Sequence, residues 1–171
     1  MLKKYIMDSP IGALAIVADE THLKEVHMEN QIHEADHIET GLNAVILETQ
    51  AFFEAYFKGE NPSFNRELID WVGTEFQTQI WELLLDIPYG QTRTYKELAQ
   101  AVAKRRNLKQ MSAQAVGGAV GSNPISVIVP CHRVVGSNNH LTGFGGGLDR
   151  KIKLLQHEGN QIKEMKLIKK V

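Results

Sequence analysis

The chain has 171 residues, 43% of them apolar and 23% charged, ordinary proportions for a soluble globular protein of one domain or two small ones. A single cysteine excludes an internal disulfide or a zinc site of several thiolates, and no apolar run approaches the roughly 20 residues of a membrane helix, so a cytoplasmic protein is expected. The net charge of −1 hides a division: residues 1–75 carry 14 acidic and 5 basic side chains, residues 76–171 carry 6 and 14. Such a split points the C-terminal half at a polyanion, the alternative being two half-domains that attract each other.

In chain order, Lys4–Met7, Leu14–Ala18 and Leu23–Met28 read as strands joined by turns at Pro10–Gly12 and Ala18–Thr21, a three-stranded antiparallel meander. Residues 29–40 are polar and read as a loop; His33 and His37 are four apart but lack a third ligand nearby. From Leu42 to Phe57 the apolar residues recur at helical spacing, and Gly59 can cap the helix end. Residues 60–72 read as a linker, which places a domain boundary near 72 and gives domains over 1–72 and 73–171.

Thr74 with Gln77, and Thr94 with Glu97, form two capping boxes, each opening a helix. A third helix covers about Ser112 to Val120 and is rich in small residues. Between Arg93 and Lys109 stand six basic residues and one acid, so two short helices and a basic turn suggest a helix-turn-helix that meets phosphates. Ile125–Val129 reads as a buried strand ended by Pro130, and Val134 to Phe144 as a hairpin, together a winged-helix arrangement. A last helix spans Leu148 to His157, followed by a basic, loosely ordered tail from Lys163.

Chemistry centres on Cys131. A lone cysteine is more often an inert core residue than a nucleophile, but this one follows an abrupt strand end and is adjacent to His132. Neighbouring side chains on an extended segment point opposite ways, so a bridging water suits His132 better than direct contact. Glu158, at the end of the last helix, is unfavourable there without a partner, which a protonated His132 would supply; a solvated helix end is the alternative.

Val129-Pro-Cys-His-Arg-Val-Val135 closely resembles the active-site motif of the O6-alkylguanine-DNA alkyltransferases, the methylated-DNA–protein-cysteine methyltransferases. Thr74-Glu-Phe with Trp81, Ile87-Pro-Tyr-Gly90, Thr94-Tyr95, Ala115-Val-Gly-Gly-Ala119, Ser122-Asn-Pro124, Leu141-Thr-Gly143 and Leu155-Gln-His-Glu-Gly159 follow in the family's order. Ser9-Pro-Ile-Gly12 and Tyr56-Phe-Lys-Gly59 look like its N-terminal domain. The resemblance implies an α+β protein: a small N-terminal antiparallel sheet with a helix, ribonuclease H-like, then a helical, winged-helix-like DNA-binding domain. It also implies irreversible, one-turnover transfer of the alkyl group from O6-alkylguanine, and O4-alkylthymine, in double-stranded DNA to Cys131, after minor-groove docking and base flipping.

By the same resemblance, His132 is the base acting through water, Glu158 polarises it, Asn123 is the hinge asparagine near the thiol, and Tyr95 assists guanine departure. Thr94, Lys96, Ser112, Ala113, Gln114, Ala115 and Gly117 face DNA; Val134, Phe144, Gly145 and Gly146 line the pocket, with the carbonyls of Cys131 and Val134 accepting from the guanine amino group. Gln114 stands where the family commonly has an intruding arginine, which leaves phosphate attraction to Arg93, Lys96 and Lys104–Arg106. Phe144 replaces a frequent tyrosine, and Gly145 stands where some members carry serine. The N-terminal cysteines that bind zinc in some relatives are missing, so no metal and no cofactor are expected. A monomer is expected, one that can act cooperatively on DNA. Two other classes are a non-catalytic winged-helix damage sensor and a cysteine hydrolase; Cys131 argues against the first, and no clear oxyanion donor supports the second.

Overall fold

A computed structural model describes residues 1–33 and 37–168. The chain divides into two compact units, Met1–Val72 with Pro124–Ile128, and Gly73–Asn123 with the chain from Val129 onward. A single boundary near residue 72 therefore does not capture the excursion of Pro124–Ile128.

In the first unit β1 (Lys3–Met7), β2 (Leu14–Ala18) and β3 (Leu23–Met28) form the antiparallel meander, and β4 (Glu39–Thr40) adds to β1 in parallel, giving the order β3-β2-β1-β4. The stretch read as a loop thus contains a short strand and a 3-10 turn, Glu29–Gln31. Every residue of β2 is buried, which its unbroken Leu-Ala-Ile-Val-Ala run permits. Helix α1 (Ala44–Phe57) starts where the Asn43 side chain accepts from the Ile46 N–H, 2.8 Å, and buries Val45, Ile46, Phe53 and Tyr56. The expected linker is not free of structure. Arg66–Leu68 is a 3-10 turn, Ile69 bridges to Leu23 with 6% of its surface exposed, and Lys24 pairs with Asp70, because the apolar Ile69 has a sheet edge to cover.

In the second unit both capping boxes form, opening α2 (Glu75–Leu85) and α3 (Tyr95–Arg105). Helix α4 (Ala113–Gly121) is capped by Ser112, whose side chain accepts from Ala115 N–H at 3.2 Å. The Trp81 indole donates to Ala119 O at 2.9 Å and ties α2 to α4. Helices α3 and α4 are the helix-turn-helix pair. Ahead of α3 runs β5 (Arg93–Thr94), paired in parallel with β6 (Val134–Val135), and α5 (Leu148–His157) follows. The hairpin expected over 134–144 is not formed: β6 pairs with β5, and Ser137–Asn139 is a 3-10 turn with Asn138 and Asn139 at positive φ.

A hairpin is formed instead further on, running from Gln161 into the stretch from Lys163 read as a loose tail. Strands β7 (Gln161–Lys163) and β8 (Lys166–Ile168) meet through Glu164 and Met165, both at positive φ, a two-residue turn without the glycine or asparagine that would mark it. Leu167, 7% exposed, anchors it in a core cluster with Val135, Leu141 and Leu155.

Candidate active site

Ile125–Val129 is buried but is not a strand. Pro124 O accepts from Val26 N–H and Ser126 N–H donates to Val26 O, so the segment attaches to the edge at β3 by an isolated bridge. Val127 then takes φ +72°, rare for a β-branched residue, and Ile128 N–H donates to Ser126 O at 2.9 Å, closing a γ-turn. A second, inverse γ-turn follows at Pro130 (φ −83°, ψ 65°), where Cys131 N–H donates to Val129 O at 2.8 Å. The tight turn at Pro130 thus sets the direction in which the thiol leaves the chain.

Cys131–Arg133 is a 3-10 turn, so Cys131, His132 and Arg133 project about 120° apart and do not alternate across an extended chain. Cys131 is 8% exposed, and burial pushes its thiol up from the ordinary value. A hydrogen bond with the Asn123 side chain, the charge of Lys151 and the N–H groups of Cys131 and His132 offset part of that shift. Asn123 Nδ2 also donates to Val129 O at 2.8 Å, so one carboxamide holds both the turn and the sulfur.

His132 is wholly buried, with Nε2 2.7 Å from Glu158 Oε2. Its Nδ1 has no hydrogen-bond partner among the described residues. Burial pushes the imidazole below its ordinary value, further than Glu158 can restore, so the ring is neutral near pH 7. A neutral ring that donates from Nε2 to a carboxylate keeps its lone pair on Nδ1. The cation that balances Glu158 is therefore not a protonated His132 but Arg133, whose Nε and Nη2 reach the carboxylate at 2.8 and 3.1 Å. Arg133 also donates to Ile87 O and stacks on Tyr89, and Gly90 N–H donates to Glu158 Oε1. Burial pushes the Glu158 carboxyl up, but the hydrogen bonds from His132 and Arg133 and the charge of Arg133 outweigh it and hold it well below the carboxylate range.

Like the role of Arg133, Lys151 was missed by sequence reasoning. It is fully buried on α5, and its Nζ donates to Val134 O at 2.6 Å and reaches Thr142 O at 3.5 Å. Burial lowers its ammonium to about 8, while the charge of Cys131 acts in the opposite direction. The signal was its place: Lys151 shares a helical stripe with Leu148, Ile152 and Leu155, a face that packs inward.

The start of α3 and the start of α4 line one groove of about 680 Å³. Thr94, Tyr95, Lys96, Ala113, Gln114 and Gly117 line it together with Gly136, Ser137, Asn138 and Thr142. Ser112 and Ala115 are exposed at the first turn of α4 and do not line it. Phe144 and Gly146 sit in a turn fastened to α5, Gly147 N–H donating to Phe144 O and Arg150 Nη1 to Gly146 O; the exposed Gly145 lies between them. Val134 O already accepts from Lys151, and Cys131 O from the Val134 N–H, which leaves each carbonyl one lone pair. Of the basic turn, Arg106 is engaged by Gln79 and lies over the Phe76 ring, so it does not stand free for phosphate as expected.

Residues 75–160 match the family profile described as 6-O-methylguanine DNA methyltransferase, DNA binding domain, and residues 2–70 match that of its ribonuclease-like domain. The chain belongs to this family. A methylated-DNA–protein-cysteine methyltransferase of Mycobacterium leprae is 43% identical over 157 residues, 91% of this chain and 92% of the relative. One from Methanosarcina acetivorans is also 43% identical, over 91% and 97%. Among solved structures, the Mycobacterium tuberculosis OGT in complex with DNA superposes with a TM-score of 0.80 at 39% identity, covering 91% of this chain and 92% of that one. The α+β architecture follows the family's: a small N-terminal sheet unit and a helical DNA-binding unit. Among the described residues no group of three His, Cys, Asp or Glu could hold a metal ion, and no helix is long and apolar enough to cross a membrane.

Proposed function

We infer that this family member repairs DNA by direct reversal, with Cys131 accepting the alkyl group of O6-alkylguanine once per molecule. The observation that carries the assignment of Cys131 is its neighbour in the 3-10 turn, His132, which is buried with Nε2 2.7 Å from Glu158 at the end of α5 and keeps a lone pair on Nδ1. His132 takes the thiol proton through a bridging water, and Glu158 with Arg133 keeps the imidazole in the accepting tautomer. The thiolate attacks the alkyl carbon; the carbon–oxygen bond breaks, its electron pair passes to the guanine, and the Tyr95 hydroxyl supplies a proton. The proton that His132 took from the thiol returns through solvent to the Tyr95 phenolate, so the proton gained by guanine balances the one lost by the thiol. Because the thioether is stable, no second turnover follows.

In this reading the helix N-termini of the groove meet the phosphates, Gln114 fills the gap left by the flipped guanine, and the remaining lone pairs of the Cys131 and Val134 carbonyls accept from the guanine amino group. Phe144, Gly145 and Gly146 wall the pocket, and O4-alkylthymine is the second substrate. The protein works as a monomer in the cytoplasm, with cooperative binding on DNA open to it. Incubation with double-stranded DNA containing radiolabelled O6-methylguanine tests this. Stoichiometric label on the Cys131 peptide, lost in Cys131→Ala while lesion binding persists, is the expected result. Multiple turnovers would instead make it a hydrolase, and binding without transfer would make it a sensor.

A further inference from the structure

We propose that Thr142 is a positioning residue for alkyl transfer: its hydroxyl donates to the Tyr95 phenol oxygen and so leaves the phenol proton free for the departing base. The inference rests on the reading of Tyr95 as the group that protonates guanine. Thr142 Oγ1 lies 3.4 Å from Tyr95 Oη across the rim of the groove. A phenol has one proton and two lone pairs. If Tyr95 spent its proton on Thr142, it would have none for the base, so a hydroxyl neighbour is useful here only as the donor. The separation is long for two hydroxyls, as expected of a site open to water before DNA closes over it; such contacts tighten in the reactive complex.

Thr142 is held so that its hydroxyl has this aim. A Cβ on Gly136 would lie 2.9 Å from Thr142 Cγ2, inside the closest approach of non-bonded carbons, so the threonine methyl rests on the bare Cα of Gly136. That contact selects the rotamer, and with the methyl fixed the hydroxyl is turned toward Tyr95. The backbone is fixed as well. Gly136 N–H donates to His140 O at 2.8 Å, Leu141 N–H to Met165 O at 2.8 Å, and Lys151 Nζ reaches Thr142 O. On its other side the Tyr95 ring lies against Gly117, where an added Cβ would stand at 3.8 Å in ordinary contact. The phenol is thus set between α4 and the loop that carries Thr142.

The test measures the single-turnover rate at saturating O6-methylguanine DNA, and DNA affinity separately, for Thr142→Val, Thr142→Ser, Tyr95→Phe and the Thr142→Val/Tyr95→Phe double variant. Valine keeps the volume against Gly136 and removes only the hydroxyl. The expected result is about a fivefold slower rate for Thr142→Val at unchanged affinity, the value of one ordinary hydrogen bond. Thr142→Ser should stay within about twofold of the parent, and valine should cost nothing further once Tyr95 is phenylalanine. A parent-like rate for Thr142→Val, or an equal loss in the Tyr95→Phe background, would overturn the proposal. So would a loss confined to affinity. Tyr95→Phe reacting at the parent rate would overturn it through the role of Tyr95, while stoichiometric labelling of Cys131 would leave the alkyltransferase reading standing.

Discussion

A lysine with no exposed surface is the least expected residue of the site, and its charge works with the Asn123 hydrogen bond against the burial that raises the thiol. Burial raises the Cys131 thiol, and the Lys151 ammonium is among the groups that lower it again. At neutral pH, below its value of about 8, Lys151 is mostly charged; as pH rises through that value the help is withdrawn. Lys151→Met keeps the length and removes the charge, so the thiolate fraction at pH 7 must fall. The expected outcome is slower alkylation of Cys131 by iodoacetamide at pH 7, with the inflection of rate against pH moved upward. An unmoved inflection would show that Lys151 only holds the Val134 carbonyl. Cys131, His132 and Glu158 were legible in the sequence because each is chemically conspicuous and fits the motif order. Lys151 was not, since lysine on a helix is read as solvated, and Arg133 was passed over as part of the motif although it is the cation that Glu158 needs.

Among the elements, those set by local chemistry were readable and those set by distant pairing were not. Thr74 with Gln77 and Thr94 with Glu97 announce α2 and α3 because a capping box is complete within four residues. Nothing in Ile125–Val129 announces a γ-turn, because the positive φ of Val127 follows from where Pro124 and Ser126 attach, at Val26, a hundred residues earlier in the chain. The two valines of this segment allow the strain to be measured. Both are buried, at 2% and 0% exposure, so replacing either with glycine removes about 1.5–3 kcal/mol of apolar burial and adds the flexibility cost of glycine. Only at Val127 does glycine also relieve a left-handed backbone, worth about 1–2 kcal/mol. Val127→Gly is therefore expected to cost about 1–2 kcal/mol less than Val129→Gly in urea unfolding. Equal losses would show that the turn at Val127 carries no strain.

On the scale of the whole molecule, the basic C-terminal half suggested a polyanion, but not which charges would meet it. Arg106 is turned inward onto Phe76 and Gln79, and among the groove residues only Lys96 carries a full charge. In the proposed reading the rest of the attraction there would come from the start of α3 and the start of α4, whose helix dipoles favour phosphate. Gln114 stands in that groove without charge. Gln114→Arg adds one cation where DNA is expected to lie, so it should release about one more counterion on binding. The plot of log affinity against log salt should steepen by about 0.9, while the rate at saturating DNA stays within about twofold of the parent. An unchanged slope would remove residue 114 from the phosphate field. A slope steepened together with a slower chemical step would place the arginine where the flipped guanine must pass, making Gln114 a residue of the reaction path as well as of the docking face.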